Sequence, residues 1–319
     1  ARDRPFKHTP FMRFSTDASS LLAGLQTTKR ALATQTTMPI LECVKITAHA
    51  DHITLLGCDL DVWVQTAYPA KVDAERDTPD TCAVRPKRLI DTLRALPDDA
   101  RVEVRLSDDY DLTMEADAGT YTMHAYEGDD YPDVPGPGED EQIAVIGGEA
   151  IVGALDKTAF AVSDDSLRPA MMGVYFEQAP SHTEVVSTDG HRLARLRETS
   201  ISSKQDGSFV LPEKAASLTQ ALTVEPHIRV ADSVAEVYDQ GVTITARLIE
   251  AEYPNYEAVI PDGNDKRMAV DRAELLAAVE RVGLYSPSVS SQIRLRIMPD
   301  DVRLTAEDVE RSSEAEEVV

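Results

Sequence analysis

Ser187-Thr188-Asp189-Gly190-His191 brings a hydroxyl, a carboxylate and an imidazole close together, with Arg192 and Leu193 directly behind them. Those are the groups of nucleophilic hydrolysis, in which the carboxylate orients the imidazole and the imidazole takes the serine proton. The spacing argues against that use. Catalytic triads converge from distant segments, and no Gly-x-Ser-x-Gly elbow is present to expose a serine at a strained turn. Asp189-Gly190 reads better as a tight turn in which Gly190 supplies a positive φ. A strand ending at Val185-Val186 would enter it, and a second strand carrying His191, Arg192, Leu193 and Leu196 would leave it. The expectation is a structural turn beside a surface groove, with no catalytic residue.

The elements that position this turn form a repeat. Three stretches carry apolar residues at helical spacing: Asp17 through Leu21, Leu22 and Leu25 to Leu32; Glu149 through Ile151, Val152 and Leu155 to Phe160; and Asp271 through Leu275, Leu276 and Val279 to Leu284. Asp17 and Asp271 suit N-caps. Each helix precedes alternating strands, at Cys43–Ile46, Gly173–Phe176 and Ile293–Ile297, and then a second strand ending near an acid. Shorter helices follow in the first two copies, opened by Arg85-Pro86-Lys87 and by Leu211-Pro212-Glu213-Lys214. Tyr131-Pro132 and Tyr253-Pro254 close those copies 122 residues apart. The third copy reaches Val319 without a counterpart of the short helix. Pro135-Gly136-Pro137-Gly138 and Pro261-Asp262-Gly263 read as linkers. The expected domains are therefore 12–135, 141–262 and 266–319, the last incomplete in its C-terminal half, behind a flexible extension at 1–11.

Composition narrows the class. The 319 residues suffice for two or three domains, and 42% hydrophobic content is ordinary for a globular chain. No run of about 18 apolar residues suggests a membrane span. The N-terminal stretch has no apolar core of the kind a secretory signal needs. Three cysteines, Cys43, Cys58 and Cys82, form no CxxC, and the seven histidines form no HxxxH or HExxH pair. Buried thiols in a reducing, cytoplasmic compartment follow, with no metal and no cofactor. Lys and Arg total 32 against 56 Asp and Glu, a net charge of −24. Spread evenly, that charge would repel DNA, so the chain either avoids nucleic acid or segregates its basic residues. An acidic surface also suits a high-salt cytoplasm.

Three motifs carry a family resemblance. Ser187-Thr188-Asp189-Gly190-His191-Arg192-Leu193-Ala194 is similar to a signature of the bacterial DNA polymerase III beta subunit, the sliding clamp. Tyr253-Pro254-Asn255-Tyr256-Glu257-Ala258-Val259-Ile260-Pro261 and Met38-Pro39-Ile40-Leu41 match two more, in the family's order. The resemblance implies an α+β fold of repeated clamp modules, each with helices on one side of antiparallel sheets. It implies no catalysis. The chain would encircle duplex DNA without reading sequence and tether the replicative DNA polymerase after a clamp loader opens the ring. Other proteins bearing a clamp-binding motif would share the same site.

The resemblance also assigns residues. A hydrophobic peptide groove between the second and third domains would be lined by Met171, Thr188, Gly190, His191, Arg192, Leu193, Pro254 and Val259. Ala258 stands where the family often has Arg. A homodimer ring would close head to tail through Tyr121 and Met123 on one edge and Leu284 and Tyr285 on the other. The helices and an adjoining loop carry Lys29, Arg30, Arg85, Lys87, Arg88, Arg94, Lys157, Arg168, Lys214, Arg272 and Arg281. These would line the hole, although on spacing alone they are also ordinary solvated helix faces. Gln35 and Pro169-Ala170 depart from groups that often contact DNA in related clamps. The alternative is an acidic DNA-mimic or scaffold protein that binds DNA-handling enzymes without encircling DNA, its basic residues scattered evenly.

Overall fold

The structure is a computed structural model describing residues 12–73, 80–117, 119–136, 144–147, 149–201, 206–222, 226–231, 233–261 and 263–319. The extension at 1–11 and most of the first linker lie outside the described residues. The chain divides into two compact units, 1–254 and 255–319. Every described strand pairing is antiparallel, as an α+β fold of hairpins requires.

The first unit holds two modules. In the first, α1 (Ala18–Lys29) buries Ala18, Leu21, Gly24, Leu25 and Thr28, one face at helical spacing. Gly24 permits a close approach: a Cβ there would lie 2.5 Å from the Tyr68 ring. Asp17 does not cap this helix. Its side chain makes no cap bond and instead lies 3.3 Å from Arg101. A tertiary contact satisfies only the first amide of the helix, the Ala18 N–H donating to the Ala100 carbonyl at 2.9 Å. α2 (Pro86–Ala95) has Pro86 in its first turn and buries Pro86, Leu89, Ile90 and Leu93. The second module repeats the plan with α3 (Glu149–Thr158) and α4 (Glu213–Gln220), the latter burying Ala215, Ala216, Leu218 and Thr219.

Two sheets belong to one module each. Lys71–Val72, Met12–Asp17, Arg101–Leu106, Asp111–Ala116 and Gly119–His124 form the sheet of the first; Leu193–Glu198, His182–Thr188, Gly173–Ala179 and Gly207–Pro212 form that of the second. A nine-stranded sheet spans both modules. Its join is the pairing of Val62–Pro69 with Val242–Arg247, from Val242 opposite Thr66 to Ala246 opposite Val62. Around that seam the Arg247 Nε donates to the Leu60 carbonyl at 3.2 Å, and its guanidinium lies 5.5 Å from the Trp63 ring centre. Lys214 of α4 donates to the Ala31 carbonyl at 2.8 Å and pairs with Asp59. Ala31, Val62 and Val64 of the first module are buried in the core of the second.

All three cysteines are free and buried. Burial pushes the Cys43 thiol up to about 11 and the Cys82 thiol up to about 12, which leaves both inert near neutrality. Cys43 precedes the strand Val44–Ala48 instead of lying in it. The Tyr131 hydroxyl sits at that strand end, accepting from the Cys58 N–H and donating to the Cys43 carbonyl, both at 3.0 Å. Among the described residues no helix is long and apolar enough to cross a membrane.

In the second unit α5 (Arg272–Gly283) packs on a sheet of Arg294–Ile297, Val302–Asp308 and Ser313–Val318. Here the cap is formed: Asp271 Oδ1 accepts from the Ala273 N–H at 2.8 Å and the Glu274 N–H at 3.0 Å. Ala278, Val282, Val302, Leu304 and Ala306 make its core.

Candidate functional site

The turn at 188–192 is fixed by its own side chains. Asp189 Oδ1 accepts from the backbone N–H groups of His191 at 2.8 Å and Arg192 at 2.9 Å, while Oδ2 accepts from the Arg192 Nε at 3.0 Å. The Thr188 hydroxyl donates to the Arg192 carbonyl at 2.7 Å and accepts from the Gly190 N–H at 3.1 Å. Gly190 takes a φ of +87°, a region that disfavours any side chain. The two backbone donors, with Arg192 assisting, pull the Asp189 carboxyl down to about 2, so it stays charged at any working pH. His191 and Arg192 therefore lie in the turn, and the exit strand starts only at Leu193. That corrects the placement of both in a strand: Asp189 captures the backbone N–H groups that alternation alone would give to a strand.

The hydrolytic groups do not converge. Ser187 is buried and its hydroxyl donates to the Thr158 carbonyl, whereas the His191 side chain is exposed. Among the described residues no group of three His, Cys, Asp or Glu could hold a metal.

Residues with apolar surface stand beside the turn. Thr188 stands opposite Leu193 in the hairpin, and the neighbouring register of Tyr175 opposite Val186, carried on, brings the chain near Gly173 beside Thr188. Met171 ends the short helical turn Pro169–Met171 just before that strand. Met171, Leu193 and Pro254 are each half-buried, leaving apolar surface open. Tyr253 stacks on Tyr175 with ring centres 4.5 Å apart, and burial, against a smaller opposing effect of the Thr188 backbone, raises its hydroxyl to about 12. Val259 belongs to the second unit, where it is 70% exposed in the turn Glu257–Val259.

Sequence reasoning missed one neighbour. Phe160 is 60% exposed, with the Arg192 guanidinium 5.6 Å from its ring centre. Its helical spacing marked it only as the end of an apolar stripe. Arg168, expected to face DNA, lies against the same turn. Its Nη1 donates to the Asp189 carbonyl at 3.5 Å and its Nε pairs with Asp165 at 3.1 Å.

The other cations are unequally placed. Lys29, Arg30, Lys87, Arg88, Lys157 and Arg272 are exposed on or beside their helices. Arg85 pairs with Glu42 at 2.9 Å, Arg94 with Asp91 at 3.7 Å, and Arg281 with Glu317. Lys214 is turned into the seam between the first two modules. Tyr121 and Met123 sit half-buried on Gly119–His124, the edge strand of the five-stranded sheet. In the second unit Leu284 is 82% and Tyr285 45% exposed.

Comparison with known proteins matches three family models in sequence order. They describe the N-terminal, central and C-terminal domains of the DNA polymerase III beta subunit and match residues 12–135, 146–255 and 257–319. The beta sliding clamp of Synechococcus elongatus is 29% identical over 314 residues, covering 93% of this chain and 81% of that protein. The beta sliding clamp of Pseudomonas putida is 26% identical, covering 96% and 84%. A crystal structure of the DNA polymerase III subunit beta of Pseudomonas aeruginosa bound to griselimycin aligns with a TM-score of 0.83 at 26% identity, covering 97% of this chain and 83% of that one.

Proposed function

The chain belongs to the DNA polymerase III beta subunit family, and from that premise we propose how it works as a DNA sliding clamp, a non-catalytic subunit whose partners are DNA and a polymerase. Two copies close a ring around duplex DNA, with Tyr121 and Met123 of one meeting Leu284 and Tyr285 of the other. The sheet edge carrying Tyr121 and Met123 supports this, since an uncovered edge of that kind invites pairing. A clamp loader opens the ring in the cytoplasm. Backbone-level contact through exposed cations such as Lys87 and Arg88 lets the ring slide, because charge attraction without base contacts has no preferred register.

Polymerase and other partners insert a short peptide at the 188–192 turn. The observation that carries this is the turn itself. A rigid, charge-locked loop with Met171, Leu193 and Pro254 left half-open is a ready apolar site with few polar anchors. Two further features suit a peptide: Met171 adapts its shape, and Phe160 offers a ring face.

The test is polymerase-driven synthesis on a primed circular template with the full-length protein. Leu193→Asp combined with Met171→Asp is expected to cut product length to that of polymerase alone while the ring stays on circular DNA and leaves it on linearisation. Unchanged synthesis would remove the groove; retention that ignores linearisation would remove encirclement.

A further inference from the structure

The first module holds a cleft that attraction to phosphate alone does not explain. It lies between the end of α1, the turn Pro39–Glu42 and the start of α2, with a volume of about 330 Å³. Leu32 and Ala33, half-buried, and Pro86, buried, give it a largely apolar wall. Lys29, Arg85 and Lys87 stand around its rim, all exposed. The acid among the described lining residues, Glu42, is already paired with Arg85 at 2.9 Å. Among the described residues the ammonium groups of Lys29 and Lys87 meet no carboxylate. The second module shows that the fold does not demand these cations. Thr28 and Thr158 mark the same point on α1 and α3, each hydroxyl donating to the carbonyl four residues back, at 2.8 Å and 2.7 Å. Lys29 follows the first and Ala159 the second. α2 opens on Arg85-Pro86-Lys87, whereas α4 opens on Pro212-Glu213 and its lysine, Lys214, is tied to Ala31 and Asp59 across the module seam. On a chain of net charge −24, three cations therefore gather around one apolar cleft in the first module.

We propose that this cleft takes one unpaired nucleotide of a DNA strand, its base on Leu32, Ala33 and Pro86 and its phosphate between Lys29 and Lys87. The inference rests on the DNA reading above and deepens it. A paired duplex presents phosphates and sugars along its outside, and those call for cations but not for an apolar wall. A base leaves the stack at little cost only where it has no partner, and its face then gains from burial. The size agrees. A volume of about 330 Å³ is near the small end of ligand pockets, roughly 300–1,000 Å³, which suits one ring-bearing unit and not a length of chain. An acidic peptide fits less well, because its carboxylate would leave the apolar wall to a separate side chain within the same small space. Duplex thus passes the cleft without a preferred register, and a junction with an unpaired nucleotide is held there.

The experiment is fluorescence anisotropy at low salt with the whole chain and three labelled DNA hairpins. One is fully paired, one carries a single unpaired thymidine, and one carries an abasic unit at that place. The expected result is about fivefold tighter binding of the unpaired-thymidine hairpin than of either other, the low end for one buried base because no aromatic ring is among the described lining residues. Ala33→Glu, which puts a carboxylate on the apolar wall, and Ala33→Met, which fills the cleft, should each abolish that preference, with the urea midpoint confirming that both variants fold. Leu193→Asp combined with Met171→Asp should keep it. Equal binding of the thymidine and abasic hairpins overturns the proposal and leaves DNA contact standing. A preference that survives both Ala33 variants, or is lost in the Leu193 and Met171 variant, overturns it by placing the base elsewhere. Displacement of the thymidine hairpin by an equal concentration of free dTMP overturns the assignment to a DNA strand. No binding of any hairpin overturns both the proposal and the DNA reading beneath it.

Discussion

α2 and α4 occupy the same place in successive modules and use their cations in opposite ways. Both follow a strand that ends near a proline, and both bury four residues at helical spacing. α2 and its cap expose Arg85, Lys87, Arg88 and Arg94. α4 exposes Glu213 in its first turn, and its lysine, Lys214, bonds the Ala31 carbonyl and Asp59 across the module seam. The repeat therefore conserves which residues are buried and leaves charge free to diverge. Counting basic residues on equivalent helices overstates how many are available to DNA. On this protein the first module offers a cationic helix face and the second uses its counterpart as an internal tie.

The largest expected effect tests that tie. Lys214→Met removes the ammonium from a seam where its own side chain is 31% exposed and that of Asp59 19%. Leaving Asp59 and the Ala31 carbonyl without that donor should destabilise the chain by about 2 kcal/mol. Lys87→Met, on an exposed face, should change stability by no more than about 0.5 kcal/mol. Urea unfolding followed by the fluorescence of Trp63 reads this directly, because the only tryptophan lies on the joining strand opposite Thr245. Equal losses in both variants would erase the distinction between the helices.

A smaller effect sharpens it from the DNA side. Lys87→Gln with Arg88→Gln should lower the salt dependence of DNA binding by about two counterions. Lys214→Gln should leave that slope alone once the folded fraction is matched. Arg85 and Arg94 should count for less than Lys87 and Arg88, since Glu42 and Asp91 already face them at 2.9 Å and 3.7 Å. A slope that drops for Lys214→Gln alone would return Lys214 to the DNA face.

The same contrast separates what was legible in the sequence from what was not. Helix positions were legible because Leu21, Leu25, Leu89 and Leu93 recur at a local period that burial on one face demands. The turn was legible because Asp189-Gly190 carries its own geometry. Lys214 was not, because its partner Asp59 is 155 residues away and nothing local marks the pair. The continuous sheet was hidden for the same reason: Val62–Pro69 and Val242–Arg247 each alternate properly, but alternation does not name a partner strand. Asp17 and Asp271 looked alike as caps, yet only Asp271 caps, since the Asp17 carboxylate is turned to Arg101 at 3.3 Å. Phe160 and Arg192 meet through a fold in the chain that helical spacing cannot show.

The smallest expected effect concerns two carboxylates that are each shared by two arginines. Glu103 in the first module lies between Arg13 and Arg105, and Glu184 in the second lies between Arg195 and Arg197. The Glu103 carboxyl is held below the ordinary range chiefly by its hydrogen bond from Arg13. For Glu184 burial pushes upward, but the hydrogen bonds from Arg195 and Arg197 outweigh it and hold the carboxyl low as well. A carboxyl with a depressed folded-state pKa lends stability that is present above its unfolded value and lost as pH falls through its folded value. Both clusters should therefore weaken as the solution is acidified from about pH 5 toward about pH 3. Glu184 is only 4% exposed against 26% for Glu103, so its ion pairs are less screened by water. Glu184→Gln should flatten the acid limb of the urea midpoint more than Glu103→Gln, while costing more at neutral pH by leaving two arginines without their shared anion. Identical acid limbs in the two variants would mean that burial does not distinguish these clusters.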